Sequence, residues 1–272
     1  MVLPQIQMAA VVLAGAASAY TDWKTGFIYD WITYPLIAFG IIVSLYTQEW
    51  LGLVMGGAIY GVGVLVYRTG KMGGGDIKLL AGIALVQPFY EGTIFPLTVL
   101  LLGVLFASIF FGFWYVGKFL RMKPRIDWKS NQKRKALGYA ALAMILLGYI
   151  STSGVYGIEL MALFALALSS GILYYFFEDE IKTKIFLKHV KVGELEEDEV
   201  VAVEHVSSED KAKFGKHIPT LAGPEDAIKF THMGIHTIPV YRNLPKFAPF
   251  IFLGILGTYF FTEGVSGLFP LM

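Results

Sequence analysis

Long apolar runs separated by short polar stretches dominate the chain. Runs at roughly 3–21, 31–48, 50–67, 76–90, 93–117, 136–152, 157–177 and 247–266 approach the roughly 20 apolar residues that a helix needs to cross a bilayer. The fourth run is short for a span, which fits a tilted or re-entrant helix, or one capped by its neighbours. Between residues 178 and 245 the pattern breaks. Val200-Val201-Ala202-Val203 reads as a strand there, and Pro219, Gly223-Pro224 and Pro239 punctuate the segment. The predicted fold is an all-α polytopic membrane bundle of about six to eight transmembrane helices. A small cytosolic α+β domain is inserted before the last helix. The predicted layout is a helix bundle over 1–177, a soluble domain over 178–245 and a final transmembrane helix within 246–272.

Composition agrees with that pattern. Of 272 residues, 56% are hydrophobic and 16% charged, against about 45–50% and about 25% in soluble domains. Residues 178–245 carry 13 Asp/Glu and 9 Lys/Arg, half of all the charge in a quarter of the length. This excludes an ordinary cytosolic enzyme, a disordered chain and a nucleic-acid-binding module. The net charge of +1 gives no sign of a polyanionic partner. With no Cys, thiol catalysis, disulfides and Cys-ligated metals are excluded. Met1 to Ala19 resembles a signal peptide, with Ala17-Ser18-Ala19 as a cleavage-like triplet. No Lys or Arg precedes it, so it is expected to remain as the first helix.

The loops sort by sign. One set carries Lys24, then Arg68 and Lys71, then Lys118, Arg121, Lys123, Arg125, Lys129, Lys133, Arg134 and Lys135, then the soluble insert. The other set carries Glu49, Glu91 and Glu263. The excess of Lys and Arg places the first set in the cytoplasm and both termini outside. The cluster 118–135 reads as a topology signal or an anionic-lipid contact. Gly52/Gly56 and Gly57/Gly61 are G-x-x-x-G pairs, expected to let helices pack closely.

Few acids interrupt the apolar segments. Asp22 follows the first, Asp30 precedes the second, and Asp76 opens the fourth after Gly73-Gly74-Gly75. Acids in a membrane segment are functional candidates, because burying one costs about 2.5–3.5 kcal/mol at the bilayer centre. Asp30 reads as a helix N-cap. Capping alone leaves three glycines before Asp76 unexplained; glycine admits positive φ and close backbone approach, as an extended peptide beside a carboxylate would need. Two spans, 31–48 and 50–67, lie between Asp22 and Asp76, so both acids reach the same cytoplasmic edge. Two carboxylates sharing a water is the arrangement of aspartic proteases, one ionised as base and one protonated as acid. The same acids could instead bind or relay cations in an ion or proton transporter, although no inverted repeat is visible. A structural subunit of a secretion platform is a third reading.

The run Lys71-Met72-Gly73-Gly74-Gly75-Asp76-Ile77-Lys78-Leu79-Leu80 resembles the GxGD motif of the prepilin peptidases. Thr21-Asp22-Trp23-Lys24-Thr25-Gly26-Phe27-Ile28-Tyr29-Asp30 resembles the first motif of that family, an Asp with a basic residue two positions on and Ile six positions on. The pattern is most similar to the archaeal preflagellin (archaellin) and prepilin peptidases, over about 1–117 and more weakly beyond. The resemblance implies a membrane aspartic endopeptidase, without a cofactor or metal, that removes the short basic leader of archaellin or type IV pilin-like precursors at the cytoplasmic face of the cell membrane. It implies Asp22 and Asp76 as the catalytic pair, Gly73, Gly74 and Gly75 as the segment approaching substrate backbone, and Lys24 and Lys78 as supporting residues. Its implied partners are those precursors and the lipid bilayer, with no nucleic acid. Lack of Cys argues against the methyl transfer of many bacterial members. The segments 136–152 and 157–177 look like additions to a six-helix pattern. Presenilin-type proteases share GxGD, and Tyr29-Asp30 mimics their Tyr-Asp pair, but no Pro-Ala-Leu string occurs.

Two further features carry little of the chemistry. His232 and His236 are four apart in a predicted helix but lack the Glu of H-E-x-x-H. The acidic run Glu194, Glu196, Glu197, Asp198 and Glu199 reads as a solvated surface, or as an attractor for a basic leader.

Overall fold

The computed structural model describes residues 2–124, 126, 130–153, 158–215 and 218–260. These form two compact units, one of residues 1–63, 74–177 and 246–272, the other of residues 64–73 and 178–245. Arg125, Lys129 and Glu263, and the predicted span beyond 260, lie outside the described residues.

The first unit is helical: α1 (Val2–Thr25), α2 (Asp30–Thr47), α3 (Trp50–Tyr67, whose last turn belongs to the second unit), α4 (Gly74–Val86), α5 (Phe95–Arg121), α6 (Asn131–Ser153) and α7 (Ile158–Phe176). Its last described helix is α11 (Ala248–Phe260), numbered after those of the second unit. Four helices, α1, α2, α3 and α5, are long and apolar enough to cross a membrane, five if one bent helix pair counts as one span. The chain is therefore a multi-pass membrane protein. Its large exposed side chains, among them Trp23, Trp31, Trp50 and Trp114, suit lipid contact rather than water.

The fourth predicted span is a shorter helix than the apolar run suggests. α4 has 13 residues and buries Ile77 and every residue from Leu79 to Val86. Pro88, which has no N–H to donate, follows its end. A two-stranded hairpin comes next, β1 (Phe89–Tyr90) with β2 (Thr93–Ile94). Its turn residues Glu91 and Gly92 both have positive φ, 42° and 76°, as a type I′ turn requires. A helix ending inside an apolar bundle leaves carbonyls that need donors. Gln7 Nε2 donates to Val86 O at 2.6 Å and Ser44 Oγ to Leu85 O at 3.2 Å. Tyr259 donates its hydroxyl to Gln87 Oε1 at 2.5 Å.

Small residues let α3 lie against α4, but not both predicted pairs do so. A Cβ on Gly56 would fall 2.4 Å from Leu85 Cγ, and one on Gly63 would fall 2.3 Å from Ile77 Cγ2. Gly57 and Gly61 face open space. Along a helix, Gly52 and Gly56 share one face and Gly57 and Gly61 another, so only the first pair is a packing seam. Around α4, α11 packs on α5 and α1, and α5 packs on α7. Lys133, one of the basic cluster, does not present its charge at the surface. Its side chain is buried, with Nζ 5.4 Å from the Phe176 ring centre, and the aromatic face stabilises the charge.

The second unit is α+β. It comprises α8 (Glu178–Ile181), which runs into a π-helical turn (Lys182–Phe186), β3 (Leu187–Lys191), β4 (Glu199–Val201), α9 (Ser208–Phe214), β5 (Leu221–Ala222), α10 (Pro224–His232) and β6 (Thr237–Tyr241). The sheet is antiparallel in the order β3-β6-β4-β5. Val190, Val201, Phe230, Ile235, Ile238 and Val240 centre its core. The predicted strand at 200–203 is shorter and one residue earlier, because Val203–His205 turns into a 3-10 helix. His232 ends α10 and His236 lies beyond the turn at Gly234 (φ 69°), so the two are not on one helix.

Candidate active site

Asp22 stands near the end of α1. Its carbonyl accepts the Gly26 N–H at 2.8 Å, and Gly26, with φ 80°, ends the helix in the left-handed conformation that glycine tolerates. The side chain of Asp22 is buried, 6% exposed. Its Oδ2 accepts the backbone N–H of Ala248 at 3.1 Å. Asp76 lies in the first turn of α4, with Oδ1 buried. An acid there is favoured by the positive end of the helix dipole.

The ends of α1 and α4 that carry the acids lie at the same end of the bundle. Gln7, early in α1, bonds to Val86, the last residue of α4, and the two helices are in contact. At about 1.5 Å per residue, Asp22 lies about 22 Å along α1 from that bond and Asp76 about 15 Å along α4. The two helices are therefore antiparallel, with both acids at the end away from Gln7.

Two contacts tie the first motif to the second. A Cβ on Gly75 would stand 2.7 Å from Ile28 Cβ and 3.2 Å from Ile28 O, so only glycine lets the α1–α2 loop come this close. Lys78 Nζ pairs with Asp30 Oδ1 at 2.5 Å and lies 5.0 Å from the Tyr34 ring centre. Both findings correct sequence expectations. Gly74 and Gly75 are the first residues of α4, not a loop, and neither they nor Gly73 has positive φ. Gly75 is filled by Ile28, so its need for glycine is met inside the chain. Asp30 is the first residue of α2 and does not cap it; Tyr29 holds the cap position without a side-chain bond. Lys24 places its ammonium 4.6 Å from the Tyr20 ring centre.

Sequence reasoning missed the Lys246–Ala248 segment at the start of α11. Its only signal was negative. Phe247 in the cap position has no side-chain acceptor, so the cap had to come from elsewhere. Chemically, the site offers two carboxyl groups at one end of the bundle. Among the described residues no cluster of His, Asp and Glu is set to hold a metal ion.

The family comparisons coincide with these elements. Residues 9–117 match the sequence model of the type IV leader peptidase family. A prepilin peptidase, EppA, of Methanothermobacter thermautotrophicus is 26% identical over 117 residues, covering 36% of this chain and 30% of its own. The chain thus aligns with less than a third of that relative. No solved structure matches the chain. The matched stretch contains Asp22, the α1–α2 loop, Gly73–Gly75 and Asp76, and over it the chain is similar to the type IV leader peptidase family.

Proposed function

We propose that the chain is a membrane aspartic endopeptidase. It cleaves the short basic leader from archaellin or type IV pilin-like precursors at the cytoplasmic face of the cell membrane, with both termini outside. Asp22 and Asp76 are the pair. The ionised acid takes a proton from water while the protonated acid donates a hydrogen bond to the scissile carbonyl. The hydroxyl adds to carbon, and collapse of the tetrahedral intermediate passes a proton to the leaving amine. Ile28 on Gly75 and Lys78 on Asp30 hold the two motif segments in register. The observation that carries the reading is this double tie, because it joins two acid-bearing segments far apart in sequence at one end of the bundle.

The test is precursor processing in membranes that hold the full chain or its Asp22→Asn or Asp76→Asn variants. Loss of cleavage in both, with normal membrane content, is the expected result. Cleavage by either variant overturns the reading. Intact cleavage with altered ion flux would indicate a transporter instead.

A further inference from the structure

The last helix begins without a cap of its own. The Phe247 carbonyl accepts the N–H groups of Phe250 at 2.9 Å and Ile251 at 3.2 Å, which makes Phe247 the N-cap residue, and its side chain cannot accept a hydrogen bond. Pro249 has no N–H. The Ala248 amide is left over in the first turn, and it is the one that donates to Asp22. The chain also crosses in the other direction. Lys246 Nζ donates to the Trp23 carbonyl at 2.6 Å. That carbonyl is one of the last four of α1, which have no partner within their helix, and a cation is favoured at this end of the helix dipole. Two bonds, from Lys246 to Trp23 and from Ala248 to Asp22, thus join residues that are neighbours on each chain segment.

We infer that Lys246 is a positioning residue for the cleavage reaction: it fastens the start of α11 to the end of α1, so that the Ala248 amide holds the Asp22 carboxylate in a single orientation toward its partner acid. The inference rests on the catalytic reading of Asp22. A carboxylate whose rotamer is fixed by a backbone donor reacts from a prepared geometry, and small misplacement of such a group is costly in rate. The preceding segment reinforces the arrangement. Asn243 has φ 57° and Pro245 immediately precedes Lys246, so the chain enters α11 through a restricted path.

The test uses the full chain in lipid vesicles with a precursor substrate. Lys246→Met is expected to lower kcat about tenfold with KM unchanged and with the thermal unfolding midpoint retained. Lys246→Arg, which keeps a donor and a charge, restores most of the rate. A loss of kcat at constant KM and constant stability that Arg rescues is a split that a merely structural role would not give. Wild-type kcat in Lys246→Met, or an equal loss in Lys246→Arg, overturns the inference. If Asp22→Asn is inert while Lys246→Met is fully active, only the positioning role fails. If Asp22→Asn still cleaves, the catalytic reading fails with it.

Discussion

Two buried carboxylates, one in each unit, are treated in opposite ways. Glu199 on β4 is 7% exposed and is bonded to the Nε of Arg242. The same guanidinium reaches the Glu194 carbonyl at 2.7 Å and the Glu196 carboxylate at 3.7 Å. Asp22, equally buried, is met by a neutral backbone amide, while the nearby Lys246 spends its hydrogen bond on a carbonyl. A buried carboxylate locked to a guanidinium is neutralised and chemically quiet. One met by an amide has no oppositely charged group in direct contact, which leaves it free to take up and release a proton. On the proposed function, the difference separates a structural acid from a reactive one. It also corrects the reading of the acidic run, since Glu199 is a buried ion-pair member while Glu194, Glu196, Glu197 and Asp198 are exposed.

Substitutions should drive the two acids apart. Asp22→Asn keeps a hydrogen-bonding group against Ala248 but removes the base, so processing is expected to fall at least about a hundredfold with little change in unfolding temperature. A large loss of stability with residual cleavage would make Asp22 a structural cap. Glu199→Gln removes one partner of a buried pair. Because Arg242 is about a quarter exposed (27%), the expected loss is about 2 kcal/mol, below the roughly 3–5 kcal/mol of a fully buried pair. Hydrogen exchange at the β4 and β6 amides reads it. Gly75→Val sharpens the contrast from the Asp76 side. A branched side chain would collide with Ile28, and cleavage is expected to drop about tenfold, recovering in part when Ile28→Ala makes room. Asp30→Asn breaks a half-exposed pair with Lys78 (51% and 24% exposed), so its stability cost should stay below about 1 kcal/mol.

The smallest expected effect is on pH dependence in the α+β unit. Burial would raise the Glu204 carboxyl, but the Tyr241 hydroxyl hydrogen bond, with further help from its own amide, His205 and Lys182, holds it below its ordinary 4.5. A depressed carboxyl contributes stability above its unfolded value, and that contribution disappears as pH falls through the lower folded value. Protection of the β6 amides should therefore weaken on acidification below about pH 4.5, and Tyr241→Phe should flatten that decline. An unchanged slope in Tyr241→Phe would show that the bond carries no linkage.

Much of the bundle was legible because apolar runs are long and their interruptions are few. Asp22 and Asp76 stood out for the same reason. What was hidden depended on partners distant in sequence. Periodicity cannot show that Leu85 packs on Gly56 while Gly57 faces outward, or that Gln7 and Ser44 would let α4 stop at Val86 rather than run on to 90. The glycines before Asp76 were read as room for a peptide, whereas Gly75 receives Ile28. The acceptor role of Asp22 toward Ala248, 226 residues away, left no positive trace in either segment. Short strands were least legible, since Glu199–Val201 carries its pattern over only 3 residues.

The pairing of Asp22 with Asp76 is the central claim, and the absence of Cys from the whole chain makes it directly measurable. A double variant, Asp22→Cys with Asp76→Cys, treated in native membranes with a short bifunctional thiol reagent, should cross-link as readily as the contacting control pair Ile28→Cys with Gly75→Cys. A control pair that cross-links while the Asp22→Cys, Asp76→Cys pair stays unlinked, with and without precursor present, would contradict the claim.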